Sequence, residues 1–185
     1  MVLYMSYQRR LHPNLHMETD SQIKQPSGRW GQRTAYTKAP NITDILAELK
    51  LGHRVTPVFA HRSYTWELQK MLRARPRPVF DLCYLDGGHS WDVSALGVFL
   101  ADRLIRPGGL LVLDDLDWSI ATSPAFQEGP ETLGQFSSDE QQAKPVRLLW
   151  EEVLPDLGYS HFAIHPNLGW AIARKRDTKA VVPAD

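Results

Sequence analysis

Two apolar strands that run straight into carboxylates constrain this sequence most. The first, Val79-Phe80-Asp81-Leu82-Cys83-Tyr84-Leu85, continues into Asp86-Gly87-Gly88-His89, and the second, Leu110 to Leu113, into Asp114-Asp115. A nearly continuous apolar run of strand length is what a strand covered on both faces requires. Between them, Ser90 can cap a helix with Val93, Leu96, Leu100 and Leu104 on one stripe, ended by Arg106-Pro107-Gly108-Gly109. Strand, helix, strand at this spacing predicts a right-handed βαβ unit with parallel strands. Both acidic ends then lie on one rim of the sheet.

The flanks extend the pattern. Asn41 can cap a helix with Ile42, Ile45, Leu46 and Leu49 at helical spacing and Gly52 as its stop; a short strand, Arg54 to Phe59, follows. Thr65 to Arg75 reads as a helix ending before Pro76-Arg77-Pro78. Beyond Trp118 a loop of about 25 residues is long enough to act as a lid or binding loop. Pro145 can open a helix through Leu157, with Pro155 disturbing its end. Tyr159 to His165, a Pro166-Asn167 turn and Leu168 to Arg174 read as a hairpin.

The chain has 185 residues and a formal net charge of zero. That length fits one domain, and the charge offers no bulk attraction to nucleic acid or an anionic membrane. A single cysteine, Cys83, allows no internal disulfide, and no apolar run approaches the ~18 residues of a membrane helix. Met1 to Met5 is too short for a secretory apolar core and precedes its arginines. These features predict a cytoplasmic protein. The charge balance is uneven: residues 1–40 hold six Lys/Arg against two Asp/Glu, and residues 41–185 hold 15 against 19. The expected organisation is an irregular basic arm over 1–40, an α/β domain over 41–175 and a tail over 176–185. The arm is either a frayed terminus or a cover for a substrate or a second subunit.

The chemistry is expected at the strand ends, where open α/β sheets bind ligands. Neighbouring strands lie roughly 5 Å apart, so Asp86 and Asp114 can share one ligand. Clustered carboxylates repel unless a cation or protons relieve them, and hard oxygen donors suit Mg²⁺, Mn²⁺ or Ca²⁺. Asp86, Asp114 and Asp115 are therefore candidate metal ligands; the alternative is that one caps a turn and another faces solvent. Gly87 and Gly88 permit a tight turn and close approach to a ligand. His89 is either a proton acceptor near neutral pH or a donor that stabilises its turn. Trp91 and Trp118 either stack on a planar ligand or pack. Asp81 and Asp117 are weaker candidates, with Asp117 read as a solvated loop residue. The sequence holds no G-x-x-x-x-G-K-[ST] phosphate loop and no G-x-S-x-G nucleophile elbow.

The segment from Phe80 through Asp86-Gly87-Gly88-His89-Ser90-Trp91 to Arg106-Pro107-Gly108-Gly109 and Asp114-Asp115 resembles the fourth-to-fifth-strand region of class I S-adenosylmethionine-dependent methyltransferases, closest to small-molecule and sugar O-methyltransferases. The resemblance extends over about residues 41–175. It implies a Rossmann-like methyltransferase sheet, an S-adenosylmethionine cofactor and a divalent cation, Mg²⁺ or another, held by Asp86, Asp114 and Asp115. It also implies a small-molecule hydroxyl as acceptor, with His89 as the base. Asp86 and Gly87 would lie against the cofactor, and His61 aligns with the family's adenine contact. The family's E-x-G-x-x-x-G loop and the acidic end of its second strand have no counterpart here, so the sheet is expected to lack the first two family strands. Three alternatives follow: Met1 to Met5 stands in for them in part, a second copy of the chain completes the sheet, or the chain is a truncated, non-catalytic module acting through binding or dimerisation.

Overall fold

In the computed structural model the structure describes residues 2–6, 40, 42–58, 60, 63–127 and 133–177, residues 2–6 by their backbone. The chain forms β1 (Val2–Ser6), α1 (Ile42–Glu48), α2 (Tyr64–Arg73), β2 (Phe80–Asp86), α3 (Trp91–Asp102) and β3 (Ile105–Leu113). Two short helices follow, α4 (Pro124–Gln127) and α5 (Ser138–Gln142). Helix α6 (Pro145–Leu148) continues through a π-helical turn (Leu149–Val153) into a last turn (Leu154–Asp156), and β4 (Tyr159–His165) and β5 (Trp170–Lys175) close the chain.

The five strands form one sheet in the order β1-β2-β3-β5-β4. β2 and β3 are parallel, Leu85 opposite Leu113, and the β4-β5 hairpin is antiparallel to them. This is the expected α/β architecture: a Rossmann-like parallel sheet with a C-terminal antiparallel hairpin. β1 lies parallel to β2, with Ser6 opposite Asp86. The edge of β2 that the missing strands would have left open is therefore paired from within the chain. A bare apolar edge invites pairing with other chains, and β1 removes that exposure from β2.

Several boundaries differ from expectation. Residues 54–58 form no strand, and Val55 and Val58 are exposed; a strand requires a neighbour for its N–H and C=O groups, and none of the five strands pairs with this segment. Phe59 and His61 lie outside the described residues. β3 begins at Ile105 and runs through Arg106-Pro107-Gly108-Gly109, where the sequence predicted a break. A register shift between Phe80 and Leu82 opposite this stretch, with Gly108 at φ +72°, lets the ladder absorb it. On α3 the buried face is Ser94, Ala95, Gly97, Val98 and Ala101, while Leu96 of the predicted stripe is exposed. Small residues let α3 lie close to the sheet and to α2, whose Tyr64 ring fills the space that a side chain at Gly87 or Gly97 would need. Close packing of two helices against a strand selected the face here, and residue size overrode hydropathy.

The core lies where α2, α3 and α6 meet the sheet, with Leu68, Cys83, Leu111, Leu149, Leu154, Tyr159, Ala171 and Ala173 fully buried. Each leucine so placed contributes roughly 1.5–3 kcal/mol over an exposed one. At the end of the sheet away from the acidic rim, buried Asp102 closes α3. Its Oδ1 accepts from Lys175 Nζ at 2.8 Å and from the Tyr159 hydroxyl at 3.2 Å, and Lys175 Nζ also donates to the Asp102 carbonyl at 2.6 Å. This network ties α3 to both strands of the hairpin. Among the described residues no helix is long and apolar enough to cross a membrane.

Candidate functional site

The carboxyl ends of β2 and β3 form the rim the sequence pointed to. Asp86 is the last residue of β2, and the chain then turns through Gly87-Gly88 into α3. The Ser94 hydroxyl donates to the Gly88 carbonyl at 2.8 Å, which pins that turn to the first turn of α3. Ser90 occupies the N-cap position, but its hydroxyl donates to Asp92 Oδ1 at 2.6 Å instead of capping a backbone N–H. On the next strand the Asp114 N–H donates to the Leu85 carbonyl at 3.0 Å and so continues the ladder one residue past β3.

Asp114 and Asp115 diverge at this point. The Tyr84 hydroxyl donates to Asp114 Oδ2, and Asp114 Oδ1 accepts the Asp115 N–H at 2.8 Å. Asp115 adopts φ +54°, a left-handed conformation uncommon for a residue other than glycine but accessible to aspartate. Its Oδ2 lies 3.4 Å from His89 Nδ1. Asp86, His89 and Asp115 each offer a ligand atom within 4.8 Å of the others. The structure thus gathers Asp86, His89 and Asp115, and sets Asp114 one hydrogen bond behind them.

His89 is held by Asp115 at Nδ1 and by Trp118 against its ring. Trp118 packs on its ring at 5.5 Å between centroids, and Phe126 and Phe136 extend that aromatic row under the long loop. The Nε2 atom is buried with no hydrogen-bond partner, so Nδ1 is the ring nitrogen that meets the rim. Beneath Gly87, Gly88 and His89, next to Tyr64 and Leu113, the protein leaves about 10 Å³ for a water's centre, room for about one molecule. The Tyr64 ring covers Gly87 from the side of α2, so a ligand can approach this turn only from the rim.

The loop that begins at Trp118 is tied at its base. Asp117, expected to be simply solvated, pairs with Lys144 at 2.9 Å and with Arg147 through both oxygens at 2.8 and 3.0 Å. These hydrogen bonds, first Lys144 and then Arg147, hold its carboxyl below the usual range. Trp91 stands partly exposed at the start of α3.

Sequence reasoning passed over Tyr84 and Trp170. Strand alternation held the signal: Tyr84 is two residues before Asp86 on one face of β2, and its register partner Val112 is two residues before Asp114. Burial, then the hydrogen bond and charge of Asp114, raise the Tyr84 hydroxyl far above its ordinary range, so it stays a donor. Trp170 meets the Tyr84 ring edge-on at 5.4 Å between centroids.

No protein-family model and no curated protein matches the chain. Among solved structures, it is similar to the O-methyltransferase TomG from Streptomyces achromogenes, involved in tomaymycin synthesis, in complex with SAM (18% identity, 77% of this chain and 59% of that one, TM-score 0.49). An O-methyltransferase from Bacillus cereus in complex with SAH aligns at 17% identity over 72% of this chain and 56% of its own, with a TM-score of 0.48. The methyltransferase MycE of mycinamycin biosynthesis, in complex with Mg and SAH, aligns at 19% identity over 68% and 34%, with a TM-score of 0.41. The chain spans between 34% and 59% of the length of these three proteins.

Proposed function

We propose that this chain is the cation- and acceptor-binding part of an S-adenosylmethionine-dependent O-methyltransferase acting on a small-molecule hydroxyl. One observation carries the reading: Asp86, His89 and Asp115 converge at the ends of two adjacent parallel strands, in the motif order and spacing of that family. The donor set fits a divalent cation such as Mg²⁺ or Mn²⁺, with Asp86 and Asp115 holding it and Asp114 supporting Asp115. When bound, such a cation lowers the pKa of an acceptor hydroxyl. His89 Nδ1 then takes the acceptor's proton, and Asp115 Oδ2 stabilises the imidazolium that results. Trp118 supports the ring and shields it from water.

The cofactor cleft is only partly represented. Ser6 and Asp86 end two paired strands where the cofactor would lie, but residues 7–10, Tyr-Gln-Arg-Arg, carry no glycine, and the space beside Gly87 belongs to Tyr64. The described residues therefore do not form the cradle for the cofactor's amino-acid moiety, and no catalytic step is assigned to contacts there. That mismatch favours a second reading, a methyltransferase-like module that binds a partner or a second copy without catalysis. A cytoplasmic location is part of the proposal and rests on the single cysteine, which lies buried in β2.

Calorimetric titration of the full chain with S-adenosylhomocysteine, with and without Mg²⁺, separates the two. The methyltransferase reading expects saturable one-to-one binding. A folded protein that takes up neither S-adenosylhomocysteine nor S-adenosylmethionine establishes the second reading.

A further inference from the structure

The acidic rim is built on a hydrogen-bonded relay that runs from β2 to the residues just past β3. The Tyr84 ring on β2 packs edge-on against Trp170 on β5, and its hydroxyl donates to Asp114 Oδ2 beyond β3. Asp114 uses its other oxygen to accept the Asp115 N–H at 2.8 Å. Asp115, in its left-handed conformation, then presents Oδ2 to His89 Nδ1 at 3.4 Å. The Leu116 N–H donates to the Gly169 carbonyl at 3.0 Å, which fixes the loop just past the two aspartates to the hairpin that carries Trp170.

Each link removes a degree of freedom. A carboxylate with one oxygen committed to a tyrosine and the other to a backbone N–H cannot rotate toward a ligand without breaking both bonds. An aspartate in the left-handed region is uncommon, and the bond from its own N–H to the preceding side chain helps hold it there. We infer that Tyr84 is a positioning residue: through Asp114 it fixes Asp115, and thereby determines that Asp86 and Asp115, rather than Asp114, face a bound cation, with His89 beside them. This inference rests on the cation site proposed above.

The relay gives Tyr84 an effect on cation affinity without contact with the cation. Groups behind a metal's ligands typically change affinity 10- to 100-fold when removed. Tyr84→Phe keeps the ring against Trp170 and removes only the donor. Mn²⁺ binding to the full chain, followed by electron paramagnetic resonance of the free ion, is expected to weaken at least tenfold in Tyr84→Phe, with the thermal unfolding midpoint moving by no more than a few degrees. Asp114→Asn should weaken binding as well, and the double variant should lose no more than Asp114→Asn alone, because both changes break one path.

Affinity in Tyr84→Phe within twofold of the parent overturns the inference. So do losses that multiply in the double variant, or a fall in affinity that merely follows a fall in stability. If the parent binds no Mn²⁺, the inference and the cation site fall together. The titration with S-adenosylhomocysteine keeps the outcomes apart. Parent binding of that ligand with an unchanged Tyr84→Phe affinity for Mn²⁺ removes the positioning role alone; a tenfold Tyr84→Phe effect without ligand binding removes the methyltransferase reading alone.

Discussion

Both ends of the sheet hold acidic side chains, Asp102 at one and the rim aspartates at the other, and they treat them oppositely. At the far end, Asp102 is buried, and a lysine, a tyrosine hydroxyl and short distances satisfy it within the protein. At the rim, Asp114 and Asp115 are met by a tyrosine, a backbone N–H and a histidine. The first arrangement neutralises its charge internally and holds elements together. The second holds side chains in place while leaving negative charge at the mouth of a cleft, which is how a binding site differs from a structural ion pair. Carboxylate count alone does not separate the two; the identity of the partner does.

Changes at each end should therefore give different signatures. Lys175→Met leaves buried Asp102 with only the exposed Arg103, 3.7 Å from its Oδ2, as a cation, and unfolding in urea should show a loss of up to about 3 kcal/mol, with Mn²⁺ affinity unchanged. Asp115→Asn should do the reverse. Removing one charge from a repelling cluster should leave stability within about 0.5 kcal/mol of the parent, while Mn²⁺ affinity falls at least tenfold, about 1.4 kcal/mol. If both variants lose stability equally, the distinction between the two ends collapses.

The smallest effect is expected at Asp117, just past the rim. Its partners Lys144 and Arg147 lie across the base of the long loop, but the group is exposed, so Asp117→Asn should cost no more than about 1 kcal/mol. The sign with pH follows from its lowered pKa: its contribution is complete above the ordinary aspartate value near 3.9, and is lost as pH falls through the lower folded value. Stability measured from pH 6 downward should show the parent and Asp117→Asn converging only below about pH 4.

Much of this was legible in the chain. The strand-helix-strand unit, the hairpin and the position of Asp86 and Asp114-Asp115 at one rim follow from periodicity and from where apolar runs stop. Other features were not. The Arg106-Pro107-Gly108-Gly109 stretch reads as a breaker because local propensity disfavours it, yet pairing with β2 holds it in the sheet through a register shift. The 54–58 segment reads as a strand because its residues suit one, yet it gained no partner. Of the stripe predicted on α3, Val93, Leu100 and Leu104 pack on the core and only Leu96 turns outward, because the helix lies close to the sheet on its small residues. At the site, the three rim carboxylates read alike in one dimension, and the pairing of Tyr84 with Asp114 distinguishes them.

The sequence by itself determined which residues reach the rim, because strand alternation and the end of each apolar run are local properties of the chain. It also determined that one end of the unit would be acidic. The tertiary structure decided which of those residues face a common point. That choice depends on the hydrogen bond between β2 and the end of β3, which are distant in sequence, and on the backbone conformation of Asp115 that the Asp114 side chain supports. It likewise decided that β1 lies beside β2, since an edge strand has no local signal for its neighbour and is placed by the backbone groups left open for it.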